Sequence, residues 1–273
     1  ALERFAPGSR GRTDDRAHLG QILHGALDAD QLDYLLRDAH YTGVAYGVVD
    51  LPRLLRTMVL HEGRLVVQKR GLAAVESMLV ARALMYSSVY FHKTVRIGEM
   101  MMARAVERMD GLEGLDLPRM VDSELLMHLA SSGKFQRDIA LRLKYRRLFK
   151  KAYSMPVAGI DEDTASRLAE LEDPAHRRSI EDEIGRKAGV EEGYVIVDMP
   201  AREVLMSEPR MHKTDVLILD EEQKRLQPLS KHSPLARALQ NRLVPDWAVM
   251  VSTETRFRVK VAEAAKRVLG KTT

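Results

Sequence analysis

The feature that most constrains this fold is a proline-free stretch from Leu72 to Met109 that is rich in Met and Ala. Proline disrupts helix interiors, whereas Ala and Met favour helices, so the stretch predicts a long helical region. We expect a break near Gly98. Upstream, apolar residues at helical spacing predict a second helix over 28–39, with Asp28 as its N-terminal cap. The first half of the chain is therefore expected to be helical.

The second half has a different pattern, in which short apolar runs alternate with polar helical segments. We expect strands at 148–155, 194–197, 216–219 and 247–251, and helices at 161–170, 174–188, 233–239 and 257–269. The fold class predicted is mainly α, with a helical core followed by a mixed α/β C-terminal region. The expected division is a partial N-terminal segment at 1–27, a helical core at 28–147 and an α/β region at 148–273.

Composition excludes several kinds of chemistry. The 273 residues include no Cys, which rules out disulfides, zinc-thiolate sites, iron–sulfur clusters and thiol nucleophiles. A cysteine-free chain suits a reducing compartment, and we expect a cytoplasmic protein. We see no secretory leader, and no apolar run approaches the ~18 residues of a membrane span.

Charge is concentrated in one segment. Residues 134–151 contain eight basic side chains and one acid, with Phe135, Tyr145 and Phe149 between them. Such a segment could bind phosphates or stack on the bases of a nucleic acid. Alternatively, it is a solvated helix face that pairs with the acidic run at 161–193. The sequence leaves both interpretations open.

Asp30, Tyr34 and Asp38 are spaced by four residues and therefore lie along one face of the helix predicted over 28–39. Two carboxylates on one face repel each other unless a cation, a sugar hydroxyl or solvent lies between them. A metal at one and a polar ligand at the other would satisfy both. An exposed acidic face is the alternative.

Arg82, Tyr86 and Tyr90 have the same spacing in the helical region predicted over 72–109, followed by His92 and Lys93. A guanidinium, two phenols and an ammonium on one side could hold phosphates and stack on a base or a ribose. The alternative is an ordinary amphipathic surface, with the tyrosines at the edge of a core.

Taken in order, these residues resemble a known family. Residues 27–43 follow the pattern D-x-D-x-x-D-Y-x-x-R-D-x-x-x-x-G, with Asp50 after it. This pattern resembles a signature of HD-domain phosphohydrolases, in particular the deoxynucleoside triphosphate triphosphohydrolases, which include the sterile-alpha-motif and HD-domain dNTPase. Tyr90, His92 and Lys93 match a Y-x-H-K element, and 145–150 and 193–200 continue the likeness.

The resemblance implies a role for each matching residue. Asp30 would be the last ligand of a divalent metal ion (Mg, Mn, Fe, Ni or Zn). The substrate-binding residues would be Tyr34 and Asp38 at the deoxyribose, His40 near it, Arg82 and Lys93 at the phosphates, Tyr86 near the base and Tyr90 over the sugar. Arg146 and Lys150 match positions that contact a nucleotide effector in regulated relatives. Gln31 departs from the pattern, which usually has a basic residue there.

The resemblance also implies metal-assisted hydrolysis of a dNTP to deoxynucleoside and triphosphate, by a homo-oligomer. Such a metal needs a His and a His-Asp pair ahead of Asp30, and the sequence contains no His-Asp dipeptide. We expect these ligands upstream of Ala1. Two alternatives remain open: a non-catalytic dNTP-binding or sensing module, and a nucleic-acid-binding protein that uses residues 134–151.

Overall fold

The computed structural model describes residues 17–111, 116–157, 160–200, 216–222, 225–240 and 247–270. The helices within them are α1 Ala17–His24, α2 Ala29–Thr42, α3 Leu51–Thr57, α4 Leu72–Met85, α5 Lys93–Glu107, α6 Asp122–Ser132, α7 Lys134–Lys144, α8 Glu162–Glu170, α9 Pro174–Ala188, α10 Leu229–His232, α11 Pro234–Gln240 and α12 Arg258–Leu269. The strands are β1 Met58–His61, β2 Arg64–Gln68, β3 Lys150–Pro156, β4 Val195–Asp198, β5 Leu217–Asp220, β6 Arg225–Pro228 and β7 Trp247–Thr253. The expectation of a mainly helical chain with a mixed α/β C-terminal region is confirmed.

The first compact unit combines the described residues between 17 and 90 with those between 216 and 240. Its sheet has the order β1-β2-β5-β6, in which the β1–β2 hairpin is antiparallel and β5 joins β2 in parallel. Val67 lies opposite Ile218 in that parallel pair, so the later segment completes the sheet that the earlier one begins. Helices α2 and α4 supply much of the core, whose fully buried members include Leu35, Leu54, Val75, Met78, Met85 and Ile218.

The second unit combines the described residues between 91 and 200 with those between 247 and 270. Its sheet has the order β3-β7-β4, and both neighbours of β7 run antiparallel to it. Every residue of β7 after Trp247 is buried, because the strand is paired on both edges and covered by side chains of the cores. Two hydrophobic clusters fill this unit: one includes Ile184 and Val261 from α9 and α12, and the other includes Met101 and Ile139 from α5 and α7.

Helix α2 begins where its sequence predicts and continues past the predicted end at residue 39 to Thr42. The Asp28 side chain accepts a hydrogen bond from the backbone N–H of Gln31 at 2.7 Å, which satisfies a donor that the first helical turn leaves unpaired. At the other end Gly43 takes the left-handed conformation, with φ 73°. Its N–H donates to carbonyls of the last turn, and glycine adopts this conformation without the penalty of a Cβ. The apolar face between these caps is buried.

The break in the long helical region differs from the expected one. Helix α5 continues through Gly98, and the interruption comes earlier, at a π-helical turn over Tyr86–Tyr90. Tyr, Ser and Val have weaker helix propensity than the Ala and Leu that precede them, and the turn occurs where they cluster. The expected boundaries at 27/28 and 147/148 do not coincide with those of the two units, and β6 was not expected.

Among the described residues, one run that we did not expect, Lys69–Tyr90, is long and apolar enough to cross a membrane by length and composition alone. Val75, Met78 and Met85 within it are fully buried in the first unit. We therefore interpret the run as a core helix.

Candidate functional site

Three tyrosine side chains from α2 and the π-helical turn form a cluster in the first unit, which we call the tyrosine cluster: Tyr34, Tyr86 and Tyr90. The Tyr90 ring stands edge-on to Tyr34, with centroids 5.8 Å apart, and to Tyr86, with centroids 5.0 Å apart. The hydroxyl oxygens of Tyr34 and Tyr86 are 3.2 Å apart and share a hydrogen bond. Both tyrosines of the π-helical turn therefore face α2. Such turns are frequent at functional sites.

Asp38 forms the acidic edge of this cluster. The Tyr90 hydroxyl donates to Asp38 Oδ2 at 2.9 Å, and Arg37 Nη1 donates to Oδ1 at 3.2 Å. Arg37 also donates to Asp33 at 2.9 Å, so the two acids share one guanidinium. Asp38 is partly exposed, and its carboxylate can accept further donors from a ligand.

Arg82 forms the basic edge and is almost entirely buried. Its Nη1 donates to Gln31 Oε1 at 2.7 Å, and its guanidinium lies 5.4 Å from the centre of the Tyr86 ring. Gln31 is fully buried, and its amide donates to Asp28 Oδ2 at 3.0 Å. A polar chain thus runs from the cap of α2 through Gln31 and Arg82 to the tyrosine cluster.

Burial raises the pKa of Tyr34 well above its ordinary value, and the hydrogen bond with Tyr86 raises it further. Burial also raises the pKa of Tyr90, reinforced by its hydrogen bond to the Asp38 carboxylate. Both phenols are therefore neutral near pH 7 and act as hydroxyl donors or acceptors rather than as phenolates. A neutral aromatic surface with a carboxylate at one edge and a guanidinium at the other suits a hydroxylated ring that carries an anionic group.

The other residues predicted on α2 lie outside these contacts. Asp30 is exposed near the start of α2. His40 is exposed in the last turn, where its ring meets Tyr41 edge-on at 5.3 Å. The structure thus brings together Tyr34, Asp38, Arg82, Tyr86 and Tyr90 from the sequence-predicted set, all in the first unit.

Three predicted residues belong to the second unit. Lys93 is exposed at the first position of α5. Arg146 is exposed in a turn after α7, with a positive φ of 52°, and Lys150 is exposed at the start of β3. Their proposed contacts with phosphate or effector stay predictions.

Sequence reasoning missed the structural role of Gln31. It treated the residue only as a neutral replacement for a phosphate-binding cation, whereas the buried amide joins the cap of α2 to Arg82. Its place on the buried face beside Leu32 and Leu35 was the available signal, because a buried amide needs polar partners. The π turn was signalled only by the run Tyr-Ser-Ser-Val-Tyr.

A family profile matches most of the chain. The profile of the HD associated region matches residues 49–272. The chain belongs to the HD-associated region family. The resemblance to HD-domain proteins is therefore confirmed at the level of the family, while the deoxynucleoside triphosphatase branch stays a prediction.

The relatives that match parts of the chain are longer proteins. The chain is 41% identical over 157 residues to an uncharacterised protein of Methanocaldococcus jannaschii, matching 55% of this chain and 34% of that protein. It is 41% identical over 87 residues to the uncharacterised protein YwfO of Bacillus subtilis, matching 32% of this chain and 20% of that protein. The chain thus spans about a third or less of the length of these curated relatives.

Two crystal structures resemble the HD-associated region described above. A hypothetical protein from Aquifex aeolicus aligns with a TM-score of 0.65 and 25% identity, over 91% of this chain and 60% of that one. A phosphohydrolase from Bacteroides thetaiotaomicron aligns with a TM-score of 0.63 and 22% identity, over 89% of this chain and 64% of that one. The likeness to the phosphohydrolase shows that the two chains share a fold.

The metal implied by the resemblance was tested against the side chains present. Within the described part of this HD-associated region, no three or more His, Cys, Asp or Glu side chains are grouped so that they could hold a metal ion. Asp30 is one exposed carboxylate, and a catalytic metal needs about three protein ligands. The described residues therefore do not form a metal site by themselves.

Proposed function

We propose that this HD-associated region forms the nucleotide-binding wall of a phosphohydrolase and binds a deoxynucleoside triphosphate at the tyrosine cluster. The observation that carries the proposal is the arrangement of Asp38 and Arg82 at opposite edges of Tyr34, Tyr86 and Tyr90. The family membership and the fold shared with a phosphohydrolase support the reaction class.

Each part of the site suits one part of such a substrate. Asp38 would accept a hydrogen bond from a sugar hydroxyl, because its carboxylate keeps acceptor capacity beyond Tyr90 and Arg37. The tyrosine rings would pack against the sugar and leave little room for a second hydroxyl. Arg82 would offset the negative charge of the phosphates.

The second candidate is a dNTP-binding module without activity of its own. It is favoured by one observation: in the part of the chain that the structure describes, no acid and histidine group could hold a metal. In this alternative the same residues bind the nucleotide, and its binding stabilises the folded chain by mass action.

One experiment separates the two candidates. The chain, and any longer natural protein that contains it, are incubated with each dNTP and Mn²⁺ or Mg²⁺, and the products are separated by ion-exchange chromatography. Release of triphosphate and deoxynucleoside supports the phosphohydrolase. A dNTP-dependent rise in Tm without product supports the binding module. If none of these proteins releases product and none shows a shift in Tm, both candidates are contradicted.

A further inference from the structure

The second unit contains a cavity of about 860 Å³ that takes no part in the function proposed for the tyrosine cluster. It is partly open to solvent, runs along one face of α7 and is bounded by the turn that follows α9 and by the loop between β7 and α12. This volume lies within the range of about 300–1,000 Å³ that is typical of pockets for small molecules. The walls are a mixture of charged, aromatic and small residues, so their pairing decides what the cavity can bind.

Two of the acids in the wall are already neutralised. Arg142 donates to Asp138 Oδ2 at 2.6 Å and to Glu254 Oε2 at 2.8 Å. The same guanidinium lies 5.7 Å from the Phe149 ring centre and 5.9 Å from that of Tyr194. Arg256 also donates to Glu254 Oε1 at 3.1 Å. Two guanidiniums thus balance the two carboxylates, which contribute little net negative charge to the cavity.

Two cations of the wall keep their charge available for a ligand. Lys134 and Arg137 are exposed in the first turn of α7, and neither forms an ion pair with any residue that the structure describes. The residue before this helix, Gly133, offers no side chain to cap the first N–H groups. The positive end of the helix dipole adds to the two cations, so this end of the cavity favours an anion.

The other walls suit a hydroxylated ring. Glu191 lines the cavity and forms no ion pair within the described ranges, so its carboxylate can accept hydroxyl donors. Tyr194 and Phe257 add ring faces, and Arg256 lies over Phe257 at 4.6 Å from the ring centre. Burial raises the pKa of Tyr194 to about 12, with a further contribution from Asp138, so its hydroxyl stays protonated.

From this arrangement we propose that the cavity is a binding site for a phosphorylated sugar. The phosphate lies against Lys134, Arg137 and the start of α7, and the sugar hydroxyls face Glu191. The site belongs to the second unit and does not depend on the function proposed for the tyrosine cluster. It also gives part of the basic segment 134–151 a specific role in place of general attraction to polyanions.

The test uses the complete chain and ribose 5-phosphate as the probe, with ribose and inorganic phosphate as comparison ligands. Affinity is measured by isothermal titration calorimetry, and the site is located from amide chemical shifts of residues 133–137 and 191–194. The test variant combines Lys134→Gln with Arg137→Gln. Its matched control combines Lys144→Gln with Arg147→Gln, which removes the same charge from the same segment outside the cavity wall.

We expect ribose 5-phosphate to bind more tightly than either ribose or phosphate and to shift those amides. The test variant should lose at least tenfold in affinity, whereas the control should stay within about twofold of the wild type. The proposal is overturned if the probe does not bind at millimolar concentration, or if the control variant loses as much affinity as the test variant. It is also overturned if a short single-stranded oligonucleotide displaces the probe and binds with the stronger affinity, which would identify a nucleic-acid surface.

Discussion

The phenolic hydroxyl of Tyr90 donates a hydrogen bond to Asp38 Oδ2 at 2.9 Å, across 52 positions of sequence. This bond links the π-helical turn to α2 and holds the Asp38 carboxylate beside the rings of the tyrosine cluster. Hydrogen bonds to charged groups contribute about 1.5–3 kcal/mol when they are protected from water. The contact therefore has both a structural and a functional consequence, and each can be measured.

Tyr90→Phe removes the hydroxyl and keeps the ring. Because Tyr90 is only partly buried, we expect the free energy of unfolding to fall by about 1 kcal/mol, as measured by urea denaturation. The matched control is Tyr41→Phe, whose ring is 82% exposed, and its unfolding curve should overlay that of the wild type. Equal loss in both variants would show that the Tyr90–Asp38 bond does not stabilise the fold.

Gly98→Ala should stabilise the chain by about 0.5–1 kcal/mol, because alanine in a helix interior is favoured over glycine. A Cβ at this position would meet only Leu148 Cδ1, at 4.0 Å, so no clash offsets the gain. A rise in Tm by calorimetry checks the prediction. A fall in Tm would mean that Gly98 marks a break in α5 after all.

Gly47→Ala should have the opposite effect. A Cβ there would lie 2.4 Å from the carbonyl oxygen of Leu35 and 2.3 Å from the Ala39 Cβ. Since one of these contacts is backbone of α2, the helix itself must move, and we expect a loss of about 1–3 kcal/mol. Urea denaturation measures the loss, and wild-type stability in this variant would show that the segment 45–47 does not pack closely on α2.

Glu181 should make stability depend on pH. Burial raises its pKa to about 7 from an ordinary value near 4.5, although the neighbouring Arg104 guanidinium opposes the rise. The folded chain therefore keeps this proton to a higher pH than the unfolded chain does. It follows that the contribution of Glu181 to the free energy of unfolding falls as pH rises from about 4.5 to about 7, and then levels off.

Comparison with Glu181→Gln isolates this effect, because the amide keeps the size of the side chain and does not titrate. The difference between wild type and variant should change across that pH window in urea denaturation. Glu107→Gln is the control, since Glu107 also pairs with Arg104 at 3.1 Å but is much more exposed. If the Glu181→Gln curve keeps the wild-type slope, the buried carboxyl is not the titrating group.

The sequence predicts those parts of the fold that local chemistry decides. Asp28 and Gly43 bound α2 because capping depends on the residues at the helix ends. The parallel pairing of Val67 with Ile218 could not be predicted in this way. It joins segments about 150 positions apart, and no local pattern encodes such a partner.

The sequence likewise predicted only part of the candidate site. Helical spacing and the family resemblance placed Tyr34, Asp38 and Tyr90 on matching faces, and the structure brings them into contact. The buried bridge from Gln31 to Arg82 was not predicted, because it depends on how α2 packs on α4. Periodicity shows which face a residue occupies but not which polar atom lies opposite it.

The most direct test of the account is the affinity of the chain for dATP and ATP, measured by calorimetry for wild type and Asp38→Asn. We predict that wild type prefers dATP and that Asp38→Asn weakens dATP binding at least tenfold, because the carboxylate that accepts the sugar hydroxyl is lost. Asp33→Asn, at the exposed end of the same Arg37 pair, should bind like wild type. Equal affinity of wild type and Asp38→Asn for dATP, or no binding by wild type, would contradict the central claim that the tyrosine cluster binds a deoxynucleotide.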